Sequence, residues 1–265
     1  MHAVLAPSSA PVWGFCSGSV AAAAAHPQPE TEDTRTGDAA HWVGSECLNA
    51  WRGASAGSQV PGDYVGTTAP NGVVIDYDVS EGVSVYVDDV IRTLSAFDGG
   101  KEALMVEHRV YMPRIHAANW GTLDAAARIG NRVYIWDYKN GHGGVEAEGN
   151  LQLVDYLEGI AGSPAEIDAR IVQPNSYSPG GPVRRWRTSY GEIEPLVGLL
   201  HTQAIEVMTI PTLSSGRHCR YCAVRGTCSA NRAAGYNLID VVKAPVAFDV
   251  MSGSDLAVER KILQR

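Results

Sequence analysis

Two strand-type patterns separated by only Gly130-Asn131 constrain this 265-residue chain more than any other feature of its sequence. Residues 121–129 and 132–139 carry these patterns, and a two-residue Gly/Asn loop between such runs predicts a tight β-hairpin. Residues 105–112 alternate in the same way and predict a third strand. A sheet that contains the hairpin is therefore the expected centre of the fold.

Helical spacing of apolar residues predicts helices on both sides of these strands in the sequence. Helices are expected over residues 17–25, 83–94, 148–160 and 192–208, and a further helix is expected to begin near Thr36 or Gly37. A short strand is expected over residues 169–173, with a polar loop over 27–35 and a Gly-, Pro-, Ser- and Thr-rich loop over 52–72. This mixture of helices and strands predicts an α/β fold.

A charged pair ends one face of the second hairpin strand, where Asp137 and Lys139 follow Val133 and Ile135. Charged side chains are costly at the end of an apolar strand unless a site uses them. The hairpin register also places Asp124 opposite Asp137, and opposed Cβ atoms lie about 4.5–5.5 Å apart. Two carboxylates so close repel unless a cation lies between them, and Mg²⁺ or Mn²⁺ suits oxygen ligands. The pattern predicts a metal site, with a surface salt-bridge network as the alternative.

The helix after the hairpin carries two polar side chains, Gln152 and Tyr156, which lie on one face because they are four residues apart. Two interpretations are open. In the first, Gln152 and Tyr156 form a solvated stripe. In the second, the two side chains contact phosphate oxygens or orient Lys139.

Three cysteines near the carboxyl end, Cys219, Cys222 and Cys228, have the spacing C-x2-C-x5-C. Thiolates this close in sequence predict a metal site, and a closed site needs a fourth ligand. The candidates for that ligand are Cys16, Cys47 and His218. Five cysteines in a chain of this length are too few and too unevenly placed for a disulfide scaffold.

A basic and aromatic cluster, Arg184-Arg185-Trp186-Arg187, is the clearest candidate for contact with DNA. An arginine-flanked tryptophan can stack on a base of a single strand, whereas the alternative is a solvated edge strand or loop. The formal net charge of −8 excludes binding of nucleic acid by bulk charge. Binding would therefore need a local surface such as this one.

The order Gly121-x-x-Asp124, Asp137-Tyr138-Lys139 and Gln152-x-x-x-Tyr156 resembles the RecB-type branch of the PD-(D/E)XK nucleases. The resemblance implies a restriction-endonuclease-like core, which is a mixed sheet flanked by helices. It also implies that one or two Mg²⁺ or Mn²⁺ ions bind there. The catalytic residues implied are Asp124, Asp137, Lys139, Gln152 and Tyr156, and the metal ligands implied are His41, Asp124, Asp137, the Tyr138 carbonyl and, on a weaker match, Glu107.

Iron–sulfur members of these nucleases, such as AddB-type subunits and the nucleases of CRISPR adaptation, carry one cysteine before the nuclease motifs and three after them. The resemblance therefore implies a [4Fe–4S] cluster on Cys16, Cys219, Cys222 and Cys228 that joins the N- and C-terminal segments. Structural zinc on the same ligands is the competing expectation.

The activity implied by the resemblance is that of a metal-dependent DNA exonuclease, phage-encoded, which processes ends or single strands in recombination or replication. A single-strand-binding or annealing protein is the kind of protein partner implied. The expected organisation is one nuclease domain over residues 1–235 and a tail over residues 236–265. A non-catalytic DNA-binding or assembly module and a zinc-stabilised adaptor are the alternatives. No stretch approaches the about 20 apolar residues that cross a membrane, so a cytoplasmic protein is expected.

Overall fold

The computed structural model describes residues 3–27, 29–162, 165–243, 253–254 and 257. The chain divides into two compact units. The first comprises residues 1–7 and 29–198, and the second comprises residues 8–28 and 199–265.

The described residues form helices and strands in the following order: α1 (Ala10–Trp13), α2 (Ser19–Ala24), α3 (Glu32–Trp51), α4 (Tyr77–Leu94), α5 (Gly100–Ala103), β1 (Leu104–Tyr111), β2 (Trp120–Ile129), β3 (Arg132–Tyr138), α6 (Leu151–Ile160), β4 (Glu166–Val172), β5 (Val183–Ser189), α7 (Tyr190–Met208) and α8 (Ser229–Lys243). Short 3₁₀ turns lie at Pro7–Ser9, Pro61–Tyr64 and Arg217–Tyr221.

The five strands form one sheet in the order β1-β2-β3-β4-β5. Neighbouring strands are antiparallel except β3 and β4, which are parallel and are joined through α6. The predicted hairpin is confirmed, because Ile129 pairs with Arg132 and Gly130 adopts φ +58° in the turn. Glycine suits that turn because it takes positive φ without steric cost.

Helices cover both faces of this sheet. On one face Tyr134, Trp136 and Tyr138 pack with Val43 of α3 and Val83 of α4 in the main hydrophobic core. On the other face α6 contacts β1 and β3. The predicted α/β class, with a mixed sheet flanked by helices, is confirmed.

Three predicted helix starts are wrong, and side-chain capping explains each difference. The Thr31 hydroxyl accepts from the amide of Thr34, so α3 begins at Glu32 instead of near residue 36. Asp76 caps α4 in the same way, so that helix begins at Tyr77 instead of residue 83. Asn150 caps α6, which begins at Leu151 instead of residue 148. A capping oxygen satisfies amides that lack helical partners, which apolar spacing does not reveal.

The second unit brings residues near position 16 together with residues near position 212. The amide of Gly18 donates to the carbonyl of Thr212 over 2.8 Å, and the amide of Thr212 donates to Ser17 Oγ over 3.0 Å. The predicted boundary at residue 235 lies inside α8 (Ser229–Lys243). The later part of the predicted tail, residues 244–252, 255–256 and 258–265, lies outside the described residues. Over the part of the chain that is described, no helix has the length and apolar character needed to span a bilayer.

Candidate functional site

Three side chains from different elements converge in the first unit. His41 of α3, Glu107 of β1 and Asp124 of β2 each place one ligand atom within 4.8 Å of the others. His41 Nδ1 lies 3.5 Å from Asp124 Oδ1. One imidazole and two carboxylates form a donor set that suits a divalent cation.

Glu107 reaches this group from an unusual backbone conformation. It adopts φ +45°, the left-handed region that non-glycine residues rarely enter. Its place in the ladder lies between the pairs Val106↔Ala125 and His108↔Leu123, beside Asp124. Desolvation and the charge of Asp124 raise the pKa of Glu107 to about 7, although the residue is exposed to solvent. A cation bound here would stabilise the ionised form of Glu107, because it would offset the negative charge of Asp124.

The Gln152 carboxamide holds together a second group of side chains, which also contains Asp137 and Lys139. Gln152 Nε2 donates to Asp137 Oδ1 over 2.7 Å, and Gln152 Oε1 accepts from Lys139 Nζ over 2.9 Å. Lys139 Nζ also donates to Asp137 Oδ1 over 3.2 Å. Gln152 therefore bridges Asp137 and Lys139 and is not part of a solvated stripe. The cap from Asn150 to the amides of Gln152 and Leu153 fixes the start of the helix that carries it.

Asp137 is buried and keeps one oxygen without a hydrogen bond. Its Oδ2 accepts none, although Lys139 Nζ lies 2.9 Å away in a direction that does not make one. Burial, with the nearby Asp124, raises the pKa of Asp137 to about 6, against the lowering effect of Lys139. Burial by itself would lower the pKa of Lys139, but the carboxylates of Asp137 and Asp124 outweigh it and raise the pKa. Lys139 is therefore a permanent cation at neutral pH.

Asp124 joins the two groups through the backbone of β3. The hairpin ladder ends at Ala125↔Trp136, and Asp124 Oδ2 accepts from the amide of Tyr138 over 2.7 Å. The observed pairs follow the predicted register, but the ladder stops one pair before Asp124 and Asp137, which were predicted to face each other. Asp137 is not a member of the group formed by His41, Glu107 and Asp124. For the Tyr138 carbonyl, predicted as a ligand, no contact with this group is described.

Tyr156 is fixed against the hairpin, where burial and then the charges of Asp124 and Asp137 raise the pKa of its hydroxyl. Its hydroxyl donates to the carbonyl of Thr122 over 2.6 Å, and the side chain is buried. A Cβ at Gly121 would lie 2.9 Å from that hydroxyl and 2.8 Å from Pro7. The glycine is therefore needed for the close approach of Tyr156, and the contact explains why the two residues occur together.

The basic cluster does not act as one surface. Arg184 is buried, and its guanidinium donates to the carbonyls of Val145 and Gly181 and to Gln173 Oε1. The expectation that it contacts DNA is therefore corrected, because its donors already bind the protein. Arg185 and Arg187 are exposed beside Asp168, and Trp186 is half-buried.

The loop that follows Lys139 is held by two residues that the sequence patterns did not single out. Gln173 Nε2 donates to the carbonyls of Gly141 and Gly143, and Asn175 Nδ2 donates to the carbonyl of Asn140. Gln173 is a polar residue at the end of a buried strand, as Lys139 is. That position was the signal that could have identified it.

The four predicted cluster cysteines lie together in the second unit. Burial raises the pKa of Cys222, and the nearby thiols of Cys219, Cys16 and Cys228 raise it further. Cys47, in the first unit, is buried within the hydrophobic core, and desolvation raises its pKa to about 12. The structure therefore groups Cys16, and not Cys47, with the C-x2-C-x5-C motif.

Polar groups surround the Cys16 and Cys219 sulfurs. The Ser214 amide donates to Cys16 Sγ and the Gly216 amide to Cys219 Sγ, each over 3.4 Å. Burial alone would raise the pKa of Cys16, but hydrogen bonds from His218 and Ser214 outweigh it and lower the pKa. The surroundings of Cys16 thus favour the thiolate, which is the form that binds metals.

Comparison with known proteins gives a family and a weak structural likeness. The chain is similar to a solved structure described as "Crystal structure of SSO0001", with 15% sequence identity over 58% of this chain and 75% of that chain. The TM-score of 0.31 is too low for this likeness to support a conclusion. Residues 2–259 match the model of a family described as "Protein of unknown function (DUF2800)", so the chain belongs to the DUF2800 family.

Proposed function

We propose that the protein is a metal-dependent DNA nuclease of the PD-(D/E)XK type, most simply an exonuclease that processes DNA ends. The observation that carries the proposal is the Gln152 carboxamide, which ties Asp137 to Lys139 over 2.7 and 2.9 Å. This arrangement fixes an acid and a permanent cation near the group of His41, Glu107 and Asp124.

The donor set fits a divalent cation such as Mg²⁺ or Mn²⁺. His41, Glu107 and Asp124 already converge, and the buried Asp137 Oδ2 lacks a hydrogen-bond donor. That oxygen has the Lys139 ammonium 2.9 Å away as an ion-pair partner, and its unused acceptor capacity could serve a bound cation as well. When bound, the cation would lower the pKa of a coordinated water and offset negative charge on the phosphate.

The chain's own residues supply the remaining chemistry of phosphodiester hydrolysis, in which water adds to phosphorus and the bond to one sugar oxygen breaks. Lys139 stays protonated, so it acts as a fixed positive charge for the phosphate oxygens and not as a base. Such a preorganised charge stabilises the transition state more than the ground state. Gln152 prevents the ammonium from moving away from the phosphate.

The sheet topology supports the nuclease fold. Two antiparallel strands, β2 and β3, are followed by α6 and then by β4, which is parallel to β3. This order places Asp137 and Lys139 at the end of a central strand and Gln152 at the start of the next helix. The same order of motifs carries the resemblance to RecB-type nucleases.

We further propose that Cys16, Cys219, Cys222 and Cys228 hold a [4Fe–4S] cluster. Amide donors to the Cys16 and Cys219 sulfurs fit such a cluster, because hydrogen bonds to sulfur are a usual part of its surroundings. A single zinc ion with four bonds of about 2.3 Å would bring the sulfurs to about 3.8 Å of one another. Among the described residues, however, no three cysteine and histidine ligand atoms converge within 4.8 Å. Iron, sulfide and zinc contents of the purified protein decide between a cluster and zinc.

The test is degradation of end-labelled linear DNA and of circular DNA, with Mn²⁺ or Mg²⁺. It compares the wild type with Asp137→Asn and Lys139→Ala, and it uses Lys101→Ala as the matched control. Lys101 is exposed, and its ammonium lies over the Trp51 ring and not near the site. The expected result is metal-dependent loss of linear DNA, slowed roughly 100- to 1000-fold in Lys139→Ala and unchanged in Lys101→Ala.

Two outcomes would overturn parts of this proposal. Absence of cleavage of every DNA form, or equal cleavage by the wild type and the two site variants, excludes a nuclease and favours a non-catalytic DNA-binding module. Cleavage of circular DNA at the rate of linear DNA replaces the exonuclease with an endonuclease.

A further inference from the structure

The first strand of the sheet changes the face that it buries partway along its length. Val106 packs with Val43 of α3 in the main hydrophobic core. Val110 lies against α6 instead, because a Cβ at Gly159 of that helix would collide with it. Residues four apart in a regular strand lie on one face, so the alternation is broken between the two valines. The positive φ of Glu107, which lies between them, accounts for the break.

Beyond this break, β1 and β2 turn their alternate residues away from α6 and into solvent. The cross-strand neighbours on this exposed strip are Glu107 and Asp124, Arg109 and Thr122, and Tyr111 and Trp120. Four of the six residues are exposed, and Asp124 and Trp120 are half-buried. Four positions along a strand span about 14 Å. The strip therefore extends for about that distance from the group of His41, Glu107 and Asp124, which forms one of its ends.

The middle of the exposed strip carries a cation, Arg109. Its guanidinium lies over the Trp120 ring, with Cζ 4.5 Å from the ring centre. Within the described part of the chain, Arg109 has no carboxylate at ion-pair distance and its side chain makes no hydrogen bond. A guanidinium that stacks through its face keeps its N–H donors at the edge, where they can bind a phosphate. Trp120 therefore holds this cation in place without neutralising it, as an acidic residue would.

Tyr111 ends the exposed strip as an aromatic ring in solvent. It is the last residue of β1, it is 59% exposed, and it lies beside Trp120 across the two strands. Exposed rings on the face of a sheet are surfaces on which unpaired bases stack, and this stacking tolerates any base. A base inside a duplex is already covered by its neighbours in the stack. A ring in this position therefore suits a single strand and not a duplex.

The order of these groups along the strip matches the parts of a DNA strand. Carboxylates that suit a metal lie at one end, a cation for a phosphate lies in the middle, and a ring for a base lies at the other end. The chain as a whole carries a net charge of −8, so its overall field does not attract DNA. Binding therefore depends on a local cation without an acidic partner and on stacking, and the exposed strip supplies both.

We infer that the exposed strip binds the single-stranded end of a DNA substrate and leads it to the group of His41, Glu107 and Asp124. This inference rests on the proposed nuclease function, and it makes single-stranded or frayed ends the substrate class. Arg109 donates to a backbone phosphate, and Tyr111 stacks on a base. Trp120 is a positioning residue, which holds the guanidinium of Arg109.

The test measures the binding of fluorescein-labelled oligothymidylate and of a labelled blunt duplex by anisotropy. The parent is Asp137→Asn protein with Mg²⁺, so that bound DNA is not degraded during the measurement. Tyr111→Ala, Tyr111→Phe and Arg109→Gln are each added to this parent. Thermal unfolding of each variant verifies that the fold is retained.

Two matched controls separate the strip from the rest of the surface. Tyr77→Ala removes another exposed ring, because Tyr77 is 66% exposed at the start of α4. Arg132→Gln removes another exposed arginine of the same sheet, which starts β3 and is paired with Glu166. Both controls are expected to bind oligothymidylate as the parent does.

Tyr111→Ala is expected to weaken the binding of oligothymidylate by roughly 5- to 100-fold and to leave duplex binding unchanged. Tyr111→Phe binds as the parent does, because the ring and not the hydroxyl stacks on the base. Arg109→Gln lowers the slope of log Kd against log salt concentration by about 0.7, because one phosphate contact is lost. Tyr111→Ala keeps that slope, since it removes no charge.

Separate results identify which proposal fails. If the wild type cleaves DNA and both Tyr111→Ala and Arg109→Gln bind oligothymidylate as tightly as the parent, the inference is overturned while the nuclease proposal stands. Equal loss of single-strand and duplex binding in Tyr111→Ala overturns the assignment of base stacking. If the wild type cleaves no DNA but these variants lose oligothymidylate, the nuclease proposal fails and the strip remains a surface that binds single strands.

Discussion

The Gln152 carboxamide donates to Asp137 Oδ1 over 2.7 Å, so a residue of the first turn of α6 is bound to a residue at the end of β3. The same carboxamide accepts from Lys139 Nζ. It can satisfy both partners because an amide has a donor and an acceptor in one plane. An apolar or acidic side chain at this position could not do so.

Gln152→Ala is expected to reduce kcat by roughly 10- to 100-fold with little change in KM, because the variant loses the group that orients Lys139 without losing a contact to the strand. The measurement is steady-state cleavage of linear DNA. Gln203→Ala is the control, because Gln203 lies in α7 outside the site and bonds to Glu206. An unchanged kcat in Gln152→Ala would show that the hydrogen bond from Lys139 to Gln152 does not orient the ammonium for catalysis.

Cys16→Ser is expected to lose the bound iron and sulfide. It should also lose the absorbance at about 400 nm that an iron–sulfur cluster gives. Cys47→Ala is the control and keeps them, because Cys47 is buried in the hydrophobic core of the first unit. Protein is purified without oxygen, and iron, sulfide and zinc are measured for each variant. Colourless wild-type protein that contains zinc would replace the cluster with a zinc site.

Much of the fold and part of the site could be predicted from the sequence, because local patterns encode them. The Gly130-Asn131 turn and the alternation on each side of it set the hairpin, and Asp137 and Lys139 lie where an apolar strand ends. Helix starts were less predictable, since Thr31 and the other caps act through one side-chain oxygen that apolar spacing does not show.

Contacts between distant segments were not predictable. Arg184 looked like a surface residue because arginines are next to it, yet its partners are Gln173 and Val145, which are 11 and 39 residues away. Glu107 matched the family pattern only weakly, and its approach to Asp124 depends on a backbone conformation at φ +45°. Such relationships arise from tertiary packing, and no sequence period reports them.

Asp155→Asn is expected to raise the free energy of unfolding at pH 8 by about 1–3 kcal/mol. Asp155 is fully buried, and its Oδ2 and the neighbouring Glu158 Oε2 have no hydrogen-bond partner. Burial, with the charge of Glu158, raises the pKa of Asp155 well above its usual range. An asparagine keeps the shape and replaces the unpartnered Oδ2 with an amide, which can donate to Glu158 Oε2.

The pH dependence has a definite sign. The pKa of Asp155 is higher in the folded protein than in the unfolded chain. Its contribution to the free energy of unfolding is therefore complete below about pH 4 and is lost as the pH rises through the folded pKa. In urea unfolding, Asp155→Asn should therefore raise the free energy of unfolding more at pH 8 than at pH 5. Asp98→Asn, an exposed loop position, is the control. A gain that is equal at both pH values would show that Asp155 is ionised in the fold.

Arg170→Ala is expected to lower the free energy of unfolding by about 3–5 kcal/mol, because it removes the buried guanidinium between Asp89 and Asp168 and leaves these acids with the more exposed guanidiniums of Arg92 and Arg185. Arg170 is 2% exposed and donates to Asp89 Oδ2 over 2.6 Å and to Asp168 Oδ1 over 2.9 Å. Burial alone would raise the pKa of both acids, but the bonds to Arg170 outweigh it and lower the pKa. Their contribution is therefore present above about pH 4 and is lost as the pH falls through the folded pKa.

Arg187→Ala provides the contrast, because Arg187 is exposed and its Nε lies 3.9 Å from Asp168 Oδ2. An exposed pair of this kind contributes about 0–1 kcal/mol. Urea unfolding at pH 7 and pH 3 should therefore show a large loss of unfolding free energy for Arg170→Ala that shrinks at the lower pH, and almost none for Arg187→Ala. A loss of less than about 1 kcal/mol for Arg170→Ala would mean that water or another group reaches Asp89 and Asp168 once the guanidinium is gone.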